Sequence, residues 1–152
     1  MKLKQISIPI ENSINRLREL TRSLADAGIN LRALNLVDTG NFGELRILVS
    51  DLAAARQVCM QAQVPGRVEE VVAAEIDDRP SKFSLLLEPL LAQGIRIRYA
   101  YACASIGTGK AVMVFSFNDN DRAVDILQKS GIRLFDNADL SELELSAAAT
   151  AC

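Results

Sequence analysis

The chain contains no histidine, which removes the commonest general base and the commonest transition-metal ligand together. Cysteine is sparse. Cys59, Cys103 and Cys152 are odd in number and far apart, so neither a disulfide framework nor a C-x-x-C metal or redox pair can be drawn. Cys59 and Cys103 fall in apolar stretches and read as small buried hydrophobes. No apolar run approaches the ~20 residues that a membrane span needs. Met1 to Ile10 alternates polar with apolar and so lacks the unbroken apolar core of a signal peptide. An excess of positive charge is also missing: the formal charge is −2, which argues against a nucleic-acid partner. The expectation from these absences is a cytoplasmic protein with no metal, no cofactor and no membrane or nucleic-acid partner.

What is present is a core and a repeat. Of the 152 residues 49% are hydrophobic, enough for one ordinary domain or two small ones. Shifted by 66 positions, Asn12 to Leu17 lies over Asp78 to Phe83, Leu20 over Leu86, Leu24 over Leu90, and Ala27 to Arg32 over Gln93 to Arg98. Further on the shift becomes 68, with Leu45, Ile47 and Val49 matching Met113, Phe115 and Phe117, and Asp51 matching Asp119. Two extra residues around Ile106 to Gly109 account for the change, a difference that a surface hairpin tolerates. The period is too long for a solenoid and reads as a duplicated domain.

Both copies share one order of elements. In the first, Ile6, Ile8 and Ile10 alternate as in a half-buried strand. Ile14, Leu17, Leu20 and Leu24 recur at helical spacing, and Gly28 is a C-terminal stop. A strand over 30–37 follows, then a hairpin loop over Thr39 to Gly43 and a third strand through Leu45, Ile47 and Val49. A second helix carries Leu52, Ala55, Val58 and Cys59, and Pro65-Gly66 turns the chain into a strand. A strand over 71–76 either follows that strand or continues it. The second copy then repeats the order, with Asp136 onward a short helix before a frayed alanine-rich end.

The order βαββαβ is the ferredoxin-like plan. The expected fold class is therefore α+β: two ferredoxin-like units in tandem, each an antiparallel sheet covered by two helices on one face. The expected boundaries are 1–70, 71–138 and a tail over 139–152. Pro9 is the one local conflict, because it cannot donate from a strand that should be central.

The stretch Ile8-Pro9-Ile10-Glu11-Asn12-Ser13-Ile14-Asn15-Arg16-Leu17, followed by Gly28-Ile29-Asn30-Leu31, resembles the ACT domain. That family has a strand, a turn of the form Asn-x-Pro-Gly-x-Leu, a helix and then Gly-Ile-Asn-Ile. Asp78 to Phe83 with Gly94-Ile95-Arg96-Ile97 looks like a second copy, in phase with the first. The resemblance is greatest to stand-alone tandem-ACT proteins. It implies a regulatory module that binds a free amino acid at a domain interface and forms a homodimer.

Carried over residue by residue, the resemblance puts the ligand contacts at Asn12 and Asn30, within a site drawn from Glu11, Asn12, Ser13, Ile14, Asn15, Arg16, Leu17 and Asn30. The second-copy equivalents are Asp78, Pro80, Ser81 and Arg96. The family's Pro-Gly is Ile14-Asn15 in the first copy and Pro80-Ser81 in the second. Asn15 is then the next-best residue for positive φ. The chemistry is sensible by itself. A carboxylate suits the N–H groups at a helix start, here Ile14 to Leu17, and an Asn side chain offers a donor and an acceptor to the ammonium side. Asp78 would set a negative charge where the carboxylate belongs, so the first-copy turn is the expected binder. Asn12, Ser13 and Asp78 are equally the residues that caps and turns favour.

Other patterns carry less. Gly107-Thr108-Gly109-Lys110 suggests a phosphate loop, but Ala104 and Ala111 occupy two of its required positions and a strand follows instead of a helix. Tyr99 and Tyr101 lack the basic surround of an RNA-binding sheet. No nucleophile–base pair can be assembled. Ser105, Thr108 and Lys110 share a loop without an assignable partner. The expected function is an amino-acid-binding regulator without catalysis; the alternative is a regulatory subunit that controls an amino-acid biosynthetic enzyme through protein contacts.

Overall fold

The computed structural model describes residues 1–11, 13–105 and 109–150. The chain divides into two compact units, one of Lys4–Glu69 and another of Met1–Leu3 with the chain from Glu70 onward. The first holds β1 (Leu3–Glu11), α1 (Ile14–Asp26), β2 (Leu31–Asp38), β3 (Phe42–Val49), α2 (Leu52–Gln61) and the opening of β4 (Arg67–Asp77). The second holds the rest of β4, then α3 (Lys82–Ala92), β5 (Ile97–Ser105), β6 (Lys110–Phe117), α4 (Asn120–Lys129), β7 (Leu134–Phe135) and α5 (Asn137–Thr150). The strand over 71–76 is thus a continuation of the first copy's last strand.

In the first unit β3 lies antiparallel between β1 and β2, with Ile8 opposite Leu45 and Leu36 opposite the same residue on the other side. In the second, β4 pairs antiparallel with β6 on one edge and with β7 on the other. β5 pairs with β6. Each unit has its own core. Ile6, Ile8 and Ile10 meet Leu20, Leu24, Ala55 and Cys59 in the first; Val72, Ala74 and Ile76 meet Leu86, Leu90, Ala123 and Leu127 in the second. Pro9 is exposed near the end of β1, opposite Glu44, so the strand interior keeps its donors.

The helix ends show why the two copies fold alike. After α1, Ile29 N–H donates to the Leu24 carbonyl at 3.0 Å and Gly28 N–H to Ala25 at 2.9 Å. After α3, Ile95 donates to Leu90 at 3.0 Å and Gly94 to Leu91 at 3.1 Å. This is the Schellman pattern, and Gly28 and Gly94 supply its left-handed residue at φ 72° and 67°. Ile29 and Leu24 also meet in the core, so the backbone stop and the apolar contact reinforce each other.

Two expectations change. The hairpin between β2 and β3 is tighter than Thr39 to Gly43, because Phe42 and Gly43 already pair with Glu11 and Ile10. Thr39 donates to the Phe42 carbonyl at 2.9 Å, and Asp38 Oδ1 accepts from Gly40 N–H at 2.9 Å. The alanine-rich end is helical through Thr150 instead of frayed. Asp136 and Asp139 cap this helix reciprocally: Asp136 Oδ1 accepts from Asp139 N–H at 2.9 Å, and Asp139 Oδ2 from Asp136 N–H at 2.8 Å. Alanine has the highest helix propensity, and the buried Leu140 anchors the first turn.

Candidate functional site

The β1–α1 turn begins at Glu11, whose carbonyl accepts from Ser13 N–H at 2.8 Å. Asn12 lies outside the described residues. Ser13 is extended (φ −130°, ψ 142°) and caps α1, its Oγ accepting from Arg16 N–H at 3.1 Å. The Ser13 carbonyl takes Leu17 N–H at 3.1 Å. Of the four N–H groups expected to face a carboxylate, those of Arg16 and Leu17 are therefore engaged within the turn. Those of Ile14 and Asn15 have no partner among the described residues. Ile14 is 88% exposed, so none of the described residues covers it.

The neighbouring side chains are tied to the helix surface. Asn15 Nδ2 donates to Glu19 Oε1 at 3.0 Å, and Asn15 Oδ1 accepts from Arg18 at 3.0 Å. Asn15 is the second residue of the helix and does not have positive φ. Arg16 spans the unit's helical layer, donating to the Ala62 carbonyl at 3.2 Å and pairing with Glu19 at 3.4 Å. Leu17 packs against the core.

Asn30 is elsewhere. Glu11 pairs with Phe42 at one end of β3, whereas Leu31 pairs with Val49 at the other. Asn30 N–H donates to Ser50 Oγ at 3.0 Å, and its carbonyl accepts from Ser50 N–H at 3.0 Å. The 13 residues of α1 separate this point from the turn. At ~1.5 Å per residue that is about 20 Å, more than a free amino acid spans. Within one unit the turn and Asn30 do not form one pocket.

The second copy differs at the turn and agrees at the strand start. Asp78 N–H donates to the Gly109 carbonyl at 2.7 Å, and Arg79 N–H to the Asp77 carbonyl at 2.8 Å. Ser81 stands at φ 70°, ψ −14°, and makes no side-chain cap. The family's glycine position therefore keeps its left-handed backbone with a serine on it. The helix starts two residues later than in the first copy, at Lys82, with Pro80 before it. At the other end Arg96 N–H donates to Asn118 Oδ1 at 2.8 Å, and the Arg96 carbonyl accepts from Asn118 N–H at 3.0 Å. This is the Asn30–Ser50 clamp again. Sequence reasoning misses Ser50 and Asn118, although the shift of 68 aligns them.

Of the glycine-rich motif only Gly109 and Lys110 are described. Ile106 to Thr108 lie outside the described residues, but Lys110 opens β6 and its ammonium meets Glu75 Oε1 at 2.5 Å. That carboxylate holds the Lys110 ammonium above its ordinary range. Burial pushes the Cys59 thiol up, away from the reactive thiolate. No helix among the described residues is long and apolar enough to cross a membrane.

Two βαββαβ units that repeat the same helix stops and strand-start clamps make this a duplicated ferredoxin-like α+β sandwich. Residues 1–144 match the family of the ACT domain pair, and the chain belongs to that family. Among solved structures, protein BT0572 from Bacteroides thetaiotaomicron is 31% identical, with a TM-score of 0.86 over 92% of this chain and 96% of that one. The ligand-free regulatory subunit of aspartate kinase from Thermus thermophilus is 12% identical, with a TM-score of 0.59 over 83% and 90%. The aspartokinase alpha and beta subunits give 12% and 0.57 over 84% and 90%. These last two likenesses show a shared fold. None of the curated proteins matches.

Proposed function

We propose that this protein is a non-catalytic, cytoplasmic regulator that binds a free amino acid at the β1–α1 turn of its first unit and works as a homodimer. The observation that carries the reading is the pair of open N–H groups of Ile14 and Asn15 at an exposed helix start, in a chain of the ACT domain pair family. The ligand's carboxylate takes those N–H groups, with help from the helix dipole. Asn12 completes that half of the site. Because Asn30 is a helix length away, a second copy of the chain supplies the contacts to the ligand's ammonium. In the second unit the exposed Asp78 and the uncapped Ser81 make the corresponding turn either degenerate or a source of ammonium contacts.

A second reading is a regulatory subunit acting on an amino-acid biosynthetic enzyme through protein contacts. It is favoured by the fold shared with the regulatory subunit of aspartate kinase. One experiment separates them: a thermal-shift screen of the twenty amino acids on the purified full chain. A ligand at 100 times its Kd adds about 2.7 kcal/mol. A single responding amino acid, with the response lost in Asn12→Ala, fits the sensor. A flat screen with a co-purifying enzyme fits the subunit. Unchanged affinity in Asn12→Ala, with binding abolished by Asp78→Ala, overturns the assignment of the first-copy turn.

A further inference from the structure

We infer that a second copy of this chain docks on the free edge of β2, as an antiparallel β2–β2 pair whose two-fold axis passes at Asn35. The inference rests on the homodimer reading above and names the strand and register that join the two copies. β2 pairs with β3 along one side, and no strand lies on its other side among the described residues. Pairing with β3 is unbroken from Ala33 to Asp38, and no lysine, proline or glycine interrupts that stretch. Such an edge is a ready template for another strand. Leu34 and Leu36 stand opposite the core residues Ile47 and Leu45, yet they are 41% and 37% exposed. Val37, on the opposite face, is 41% exposed. A strand on the free side would cover all three.

The second unit's edge strand is built differently. β5 changes register against β6 twice, between Ile97 and Tyr99 and between Ala102 and Ala104. Arg98 falls at the first of these irregularities, just after Arg96. Bulges and charges blunt an edge against further pairing. Of the two duplicated edges, then, one is flat and apolar and the other is broken and basic.

β2 also complements itself in one register. With Asn35 opposite the partner's Asn35, Leu34 meets the partner's Leu36 and Ala33 the partner's Val37, each twice by symmetry. Arg32, at the β2 bulge, falls across from the partner's Asp38, so opposite charges meet. A slip by one pairing step in either direction sets Arg32 against Leu36 or Asp38 against Leu34. The backbone fits the same register. Thr39 N–H donates to the Phe42 carbonyl, and the ladder alternates from there. Val37, Asn35 and Ala33 therefore turn their amide groups to β3, while Leu34, Leu36 and Asp38 turn theirs to the free edge. Leu34 and the partner's Leu36 then exchange backbone hydrogen bonds, and Asn35 falls at a close, non-hydrogen-bonded pair.

The test combines sedimentation velocity with cysteine cross-linking of the full chain. The parent chain should sediment as a dimer. Asn35→Cys, oxidised with diamide, should become a covalent dimer that dithiothreitol reverses, because a non-hydrogen-bonded pair sets its Cα atoms ~4.5 Å apart, within the ~4.4–6.8 Å that a disulfide spans. The parent chain, with Cys59, Cys103 and Cys152 alone, should not cross-link under the same oxidation. Leu36→Glu should raise the dissociation constant about a hundredfold or more, since symmetry buries its unpaired carboxylate twice. Val37→Lys is the second variant should Leu36→Glu misfold. Loss of the dimer in Leu36→Glu without a cross-link in Asn35→Cys would overturn the register. A dimer that survives Leu36→Glu and gives no cross-link in Asn35→Cys would overturn the β2 surface while leaving the homodimer standing. A monomeric parent chain would overturn both and leave the edge to a strand of another protein.

Discussion

Ser13 and Ser81 both sit immediately before a helix, yet the structure requires them to answer the same substitutions differently. Ser13 Oγ accepts from Arg16 N–H at 3.1 Å, so Ser13→Ala removes a formed cap. That costs about 1 kcal/mol, whereas Ser13→Gly costs only a few tenths. Ser81 caps nothing and stands at φ 70°. A left-handed backbone costs an L-residue about 1–2 kcal/mol, and glycine escapes that while losing about 0.5–1 kcal/mol more entropy on folding. Ser81→Gly should therefore stabilise by about 0.5–1 kcal/mol, and Ser81→Ala should be neutral within about 0.5 kcal/mol. For a chain of this size ~1 kcal/mol moves the melting temperature by about 2–4 °C. Ser13→Ala should melt lower by that amount, and Ser81→Gly higher by somewhat less. Urea titration of the full chain checks both, with a constant slope showing that only the native state changed. A destabilised Ser81→Gly, or a neutral Ser13→Ala, would refute the account of the two turns.

Two more outcomes follow from geometry. Gly66→Ala would bring a Cβ to 2.5 Å from Ile6 Cγ2 and 3.3 Å from Ile8 Cγ1, on stiff β-branched chains in the core. It should cost about 1–3 kcal/mol, and more than Gly43→Ala, whose new methyl meets the movable Leu36 Cδ1 at 3.2 Å; equal denaturation midpoints for the two variants would contradict this. The Asp136 carboxyl is held below its ordinary value, chiefly by the Asp139 N–H. Its contribution to α5 is therefore present above the unfolded-state pKa near 4 and is lost as pH falls through the lower folded value. Asp136→Asn, which keeps an acceptor, should abolish that acid-side loss of helix while preserving α5 at neutral pH, as hydrogen exchange of the α5 amides would report.

The elements and the duplication were legible in the chain because their causes are local. Alternation of Ile6, Ile8 and Ile10 buries one strand face, and the spacing of Leu17, Leu20 and Leu24 makes one helix stripe, whatever surrounds them. Gly28 and Gly94 mark helix stops because a left-handed residue is needed there in any context. The family likeness needed only these features in phase.

The expected site residues could be listed from the sequence, but where each of them lies could not. Asn12 and Asn30 are near neighbours in the motif, yet strand pairing sets Glu11 against Phe42 and Leu31 against Val49, at opposite ends of β3. Nothing local announces that separation. Nor could the residues before the helix foretell that Ile14-Asn15 would join it while Pro80-Ser81 stays outside, although the two pairs align. A surface groove of the second unit lined by Glu75, Asp77, Lys82 and Arg133 is the plainest case. Its members are up to 58 positions apart and share no spacing rule. They meet because β7 pairs only with Ala73 and Ala74 and ends before the last residues of β4, and that is settled by packing alone.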